Sequence, residues 1–255
     1  MSASAESLRA PSLALLLLEG RAFWELGAYY AALPLLRQAP CGDGHSVLVL
    51  PGLAATGLST RPLRAFLRNR GYHAHDWKQG RNIGDPALIE PLRERLHAIR
   101  RRRGCKLSLI GWSLGGLYAR ELAKLAPEDV RMVITLGSPF AGDGNSNARR
   151  LFEFLSGRNA DDVASREIRA RLREPPPVPT TAIFSRTDGV CAWQGCMEKS
   201  SAMSESIEVE SSHCGMGHHP AVVYAVADRL AQKEGQWRPF DRSGWRSVVY
   251  PDPHR

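Results

Sequence analysis

Lysine is scarce in this chain. Only five of its 34 basic residues are lysines, so the formal net charge of +8 rests on arginines spread along the sequence. A protein that follows a nucleic-acid backbone gathers its basic residues into a patch and interleaves aromatic side chains. Here the densest run, Arg100 to Arg103, has no aromatic neighbours and closes a predicted helix, where positive charge complements the helix dipole. No nucleic-acid partner is expected. Long uncharged apolar stretches are missing as well. The leucine-rich front, PSLALLLLEGRAFWELGAYYAALPLLRQ, is broken by Glu19, Arg21 and Glu25, so no window reaches the ~20 residues that a spanning helix needs. Its apolar pattern also runs past any signal-peptide cleavage point. The five cysteines have no CxxC spacing, which excludes the common zinc and iron–sulfur arrangements. Cys191 and Cys196 lie close enough to pair across a loop, but free thiols in a reducing, cytoplasmic setting are the expected state. Internal repeats and low-complexity segments are lacking too.

What is present is enough for a substantial core: 255 residues, 43% hydrophobic and 24% charged. Residues 1–40 read as an amphipathic helical segment that packs on the rest of the chain or touches a membrane surface peripherally. Residues 41–255 read as one domain. From Val47 apolar strands alternate with helical patterns, which predicts a mostly parallel sheet with helices on both faces. The predicted strands are SVLVL, YHAHDW, LSLI, VRMVITL, TTAIF and IEVE. Asp85 is expected to cap a long helix that ends at Gly104. An arginine-rich stretch at 145–174, carrying Leu151, Phe152, Phe154 and Leu155, reads as a helical insertion and a candidate lid.

The stretch KLSLIGWSLGGLYAREL changes character at Ser113. Before it lies a buried strand; after it Leu114, Leu117, Tyr118 and Leu122 recur at helical spacing. Gly111-Trp112-Ser113-Leu114-Gly115 thus places a serine on a sharp strand-to-helix turn, where glycines permit close backbone packing. This G-x-S-x-G in that context resembles the nucleophile elbow of the α/β-hydrolase superfamily, and more particularly its lipase/esterase branch, including compact bacterial lipases. The resemblance covers about Val47 to Leu230. It implies a minimal sheet of about six strands, with no strand before VLVLPG.

A serine hydroxyl needs a base to become a nucleophile, and the resemblance implies the chain order serine, acid, histidine. Asp188, in the turn after TTAIF, is the expected acid, ahead of Asp143, Asp161 and Asp162; an Asx-turn role is its rival reading. His213, directly after the last predicted strand, is the expected base, with His218 as the alternative; capping or surface roles suit His218 and His219. The resemblance further implies backbone N–H donors for an oxyanion at Leu114 and at Leu53, in Pro51-Gly52-Leu53. The loops GSPFAGD and GRNIG are expected to line the pocket. The implied activity is hydrolysis of small-molecule or lipid-like carboxylic esters through an acyl-enzyme, with no metal or cofactor. An acyltransferase using the same residues and a non-catalytic binding protein on the same fold stay open at this point.

Overall fold

The computed structural model describes residues 8–142, 146–157 and 170–254. Asp143, Asp161 and Asp162 lie outside these residues, as does the middle of the 145–174 insertion.

Six strands form one parallel sheet: β1 Ser46–Leu50, β2 His73–Asp76, β3 Leu107–Trp112, β4 Val130–Leu136, β5 Thr180–Phe184 and β6 Ser204–Glu208, in the order β2-β1-β3-β4-β5-β6. Every residue of β1, β4, β5 and β6 is buried, as expected when helices cover both faces of a parallel sheet. The side-chain alternation of β1 shows the two layers. Val47 and Val49 pack toward α2 (Ala22–Leu36), α3 (Arg61–Asn69) and α7 (Pro220–Leu230). Leu48 and Leu50 pack toward α4 (Ile89–Arg103) and α5 (Leu114–Leu125).

Asp85 caps a short 3-10 turn that leads into α4, and Gly104 ends α4 in the left-handed conformation at φ 71°. At the basic end of α4, Arg100 meets Asp129 at 3.4 Å, while Arg101, Arg102 and Arg103 are exposed. β6 begins at Ser204, ahead of the predicted IEVE, because its polar residues are satisfied inside. Glu205 accepts from Arg229 and Thr181, and Glu208 accepts from Arg186.

At the front, α1 (Leu13–Leu17) and a 3-10 turn (Leu18–Arg21) precede α2. Along α2, Tyr29 and Leu36 are buried, while Phe23 and Trp24 are 82% and 83% exposed, so the helix is apolar on both sides. Its carboxylate Glu25 is the group turned inward. Among the described residues, no helix is long and apolar enough to cross a membrane. All five cysteines are free, including buried Cys191 and Cys196. Of the insertion, α6 (Arg149–Ser156) is described, together with its return near Leu172, which buried Arg120 holds through the Leu172 and Glu174 carbonyls.

Candidate active site

The strand-to-helix turn forces Ser113 into φ 53° and ψ −122°, a conformation disfavoured for a residue with a side chain. It is tolerated because the glycines around it let α5 press against the sheet. A Cβ on Gly115 would stand 2.3 Å from the Leu50 carbonyl oxygen, and one on Gly111 would stand 2.3 Å from the Gly116 Cα. The Ser113 side chain is thereby held up at the carboxyl end of the sheet, partly exposed.

Two loops from neighbouring strands meet it. Asp188 follows β5 and is buried; its Oδ1 accepts from the N–H groups of Val190 and Cys191, each at 2.7 Å. Its Oδ2 faces Nδ1 of His213 at 2.7 Å, and His213 Nε2 lies 2.9 Å from the Ser113 Oγ. With Asp188 ionised it can only accept, so Nδ1 carries the proton and Nε2 is left to accept from the serine hydroxyl. The Trp112 indole N–H donates to the His213 carbonyl at 3.0 Å, fixing the base loop to the end of β3. Gly137, at φ 54°, lies beneath the pair: a Cβ there would be 3.2 Å from both Asp188 Oδ2 and His213 Nδ1.

Burial alone would lower the imidazole pKa. The charge of Asp188 and its hydrogen bond to the ring, with Glu19 adding, outweigh it and push His213 up to about 10. Imidazolium is therefore the stabilised form. The Asp188, Cys191 and His213 ligand atoms lie within 4.8 Å of one another. As a metal cradle this set is poor: both Asp188 oxygens already accept from N–H groups. The contact with Cys196, together with burial, also drives the Cys191 thiol strongly upward, which keeps it protonated.

The Pro51-Gly52-Leu53 turn abuts the serine, since a Cβ on Gly52 would lie 3.2 Å from the Ser113 Cβ. Leu114 opens α5, where the first N–H groups have no intrahelical acceptor. GRNIG does border this region: a Cβ on Gly84 would meet the Phe152 ring of α6 at 2.6 Å and the Leu114 side chain at 3.3 Å. Within it, Asn82 is a residue that sequence reasoning missed. Fully buried, it donates from Nδ2 to the Pro51 carbonyl at 2.8 Å and accepts from the Ala54 N–H at 2.7 Å through its own carbonyl. Its N–H donates to the Ala55 carbonyl at 2.8 Å. The turn before Ala55 is thus clasped by one residue, through its side chain at Pro51 and its backbone at Ala54 and Ala55, a role that asparagine in a glycine-flanked loop can signal.

The other candidates fall elsewhere. His218 Nε2 meets the Ala22 carbonyl at 3.0 Å, and His219 caps α7 by accepting from the Ala221 N–H. A second Ser-His-Asp set also exists: His45 contacts Asp43 through Nδ1 at 2.5 Å and Ser108 Oγ through Nε2 at 2.8 Å. Ser108 is fully buried within β3, and Arg131 engages Asp43 at 2.7 Å. This set is a structural tie with no access for a reactant.

A model of the alpha/beta hydrolase family matches residues 47–251. The chain belongs to the alpha/beta hydrolase family. Among proteins of curated function, none matches this alpha/beta hydrolase. Solved structures similar to it include Aspergillus fumigatus lipase B, with 16% identity and a TM-score of 0.61 over 81% of this chain and 56% of that one. The chain thus spans little more than half of that lipase. Bacillus licheniformis lipase BlEst2 matches at 16% identity and TM-score 0.57, over 77% of this chain and 95% of that one. The Paleococcus ferrophilus monoacylglycerol lipase matches at 17% and 0.53, over 74% and 96%. At such identities the likeness is one of fold.

Proposed function

We propose that this alpha/beta hydrolase cleaves carboxylic esters through an acyl-enzyme on Ser113. The observation that carries the reading is the hydrogen-bonded series Ser113–His213–Asp188 beyond the carboxyl ends of β3, β6 and β5 of the parallel sheet, where ligands of open α/β sheets gather. In this mechanism Ser113 Oγ bonds to the ester carbonyl carbon as its proton passes to His213 Nε2. The N–H groups of Leu53 and Leu114 receive the negative charge on the carbonyl oxygen. Collapse breaks the ester C–O bond, and the Nε2 proton leaves with the alcohol. Water then attacks the acyl carbon, giving its proton to Nε2, and the acid departs as Ser113 regains the proton. Asp188 holds the imidazole tautomer and stabilises the imidazolium without taking its proton.

Lipid-like esters are the proposed substrates. Supporting this are the exposed apolar residues of the front segment, Leu13, Leu17, Phe23 and Trp24, and Phe154 on α6. Here α6 forms part of an apolar cover over the site, with Phe152 against Gly84. Hydrolysis of a graded series of p-nitrophenyl esters tests the proposal. Wild type should turn over with a chain-length optimum, and Ser113→Ala should be slower by at least about 10³-fold. Equal rates would reject it.

A further inference from the structure

Asp188 and His213 stand on separate loops; Trp112 ties the base loop to β3, but neither that bond nor the one between the two side chains joins the two loop backbones to each other. The front segment does. Glu19 Oε1 accepts from the Gly189 N–H at 2.8 Å and from the His213 N–H at 2.9 Å, and its Oε2 accepts from the Cys214 N–H at 2.8 Å. One half-buried carboxylate therefore joins the residue after the acid to the base itself. Glu25 takes the next donor along: its Oε1 accepts from the Ser212 N–H at 2.8 Å, and its Oε2 accepts from the Ser212 hydroxyl. Three successive N–H groups, 212 to 214, thus end on two carboxylates of the front segment. Between them Arg21 donates to the Thr187 carbonyl at 3.0 Å and hydroxyl at 2.6 Å, and pairs with Glu25 at 3.4 Å.

The fit is close enough to demand glycine on the receiving loops. A Cβ on Gly189 would stand 2.2 Å from the Leu15 carbonyl oxygen, and one on Gly215 would overlap the Glu25 Oε2. Both loops are shaped to receive this segment. The bonds are charge-assisted and directed at backbone, so they fix loop position rather than side-chain rotamers.

We propose that Glu19 is a positioning residue for the proposed ester hydrolysis, a carboxylate clamp from the front of the chain that sets the acid and base loops at reacting distance, with Arg21 and Glu25 seating it. The inference rests on the function proposed above. A displacement of 1 Å in such a relay costs on the order of 10²-fold in rate. Glu19→Ala should therefore lower kcat and the rate of Ser113 labelling by a fluorophosphonate by about 10- to 100-fold, with KM little changed. The low-field proton resonance of His213 Nδ1–H should broaden or vanish. Glu19→Gln keeps the acceptor for Gly189 and His213 but turns an amide donor toward the Cys214 N–H, so it should fall between the two; it carries the test if the alanine variant does not fold. A clamp that only stabilises would lower the melting temperature while kcat, labelling rate and resonance of the folded variants stay at wild-type values, and that result overturns the proposal. Wild-type protein that resists the phosphonate would instead overturn the ester-hydrolase reading, while the resonance would still report whether Glu19 holds the loops.

Discussion

Ser113 occupies its strained conformation at the contact of β3 with α5, and its hydroxyl meets an imidazole whose basicity is set by Asp188. The sign of the pH dependence follows. Only neutral His213 accepts the serine proton, so kcat/KM should climb with pH until the raised His213 pKa is passed. Asp188→Asn removes the main charge that raises it. The rising limb should then move to lower pH, with the plateau reduced by about 10⁴-fold; a pH–rate profile of both proteins measures this. Stability should run the other way. A folded-state pKa above the unfolded value stabilises fully below about 6.5, and that contribution is lost as pH rises toward about 10. Thermal midpoints across that window should decline in wild type, and this portion of the decline should disappear in Asp188→Asn. The hydrogen-bonded set of Ser113, Asp188 and His213 could be picked out as candidates beforehand, because strand and turn residue mark the positions and the family resemblance supplies the chain order. Glu19 could not: it sits in an apolar run, and its partners are backbone groups some 170 to 194 residues away, which no side-chain pattern records.

At the level of elements, the strands were readable wherever burial on both faces made them mostly apolar and β-branched, as in β1, β4 and β5. The start of β6 was hidden because its buried Ser204, Glu205 and Ser206 depend on partners in other elements. The front segment hides its polar contacts for a related reason: it is apolar on both sides, and Glu19 and Glu25 turn inward among apolar residues to meet backbone donors. GRNIG was read as a wall, yet its working part is Asn82. Asn82→Ala should leave the Pro51 carbonyl without its partner and lower stability by about 1–3 kcal/mol. Because the Leu53 turn then loses its side-chain tie and keeps only the backbone bonds at Ala54 and Ala55, kcat should drop more than KM changes; chemical denaturation and steady-state kinetics on the same variant check both.

Across the whole molecule, basic charge and exposed apolar surface meet at the front. Arg9 and Arg37 are exposed at either end of a segment that shows Leu13, Leu17, Leu18, Phe23 and Trp24 to solvent. Phe23→Ser with Trp24→Ser should reduce co-sedimentation with anionic liposomes while turnover of a short soluble ester stays near wild type, since neither side chain faces the relay. Unchanged partitioning would show that this face does not meet lipid. Deleting the segment outright is a poorer test, because it would also remove Glu19 and Glu25. The inert set Asp43–His45–Ser108 carries its own lesson at this scale. Ser108 and Ser113 belong to the same strand and the turn that ends it, roughly 16 Å apart at strand rise. Judged by interatomic spacing alone, both relays qualify. What divides a reactive centre from a bolt in the masonry is which end of the ribbon the hydroxyl stands on, so transplanting this chemistry into another scaffold means copying an address as well as a geometry.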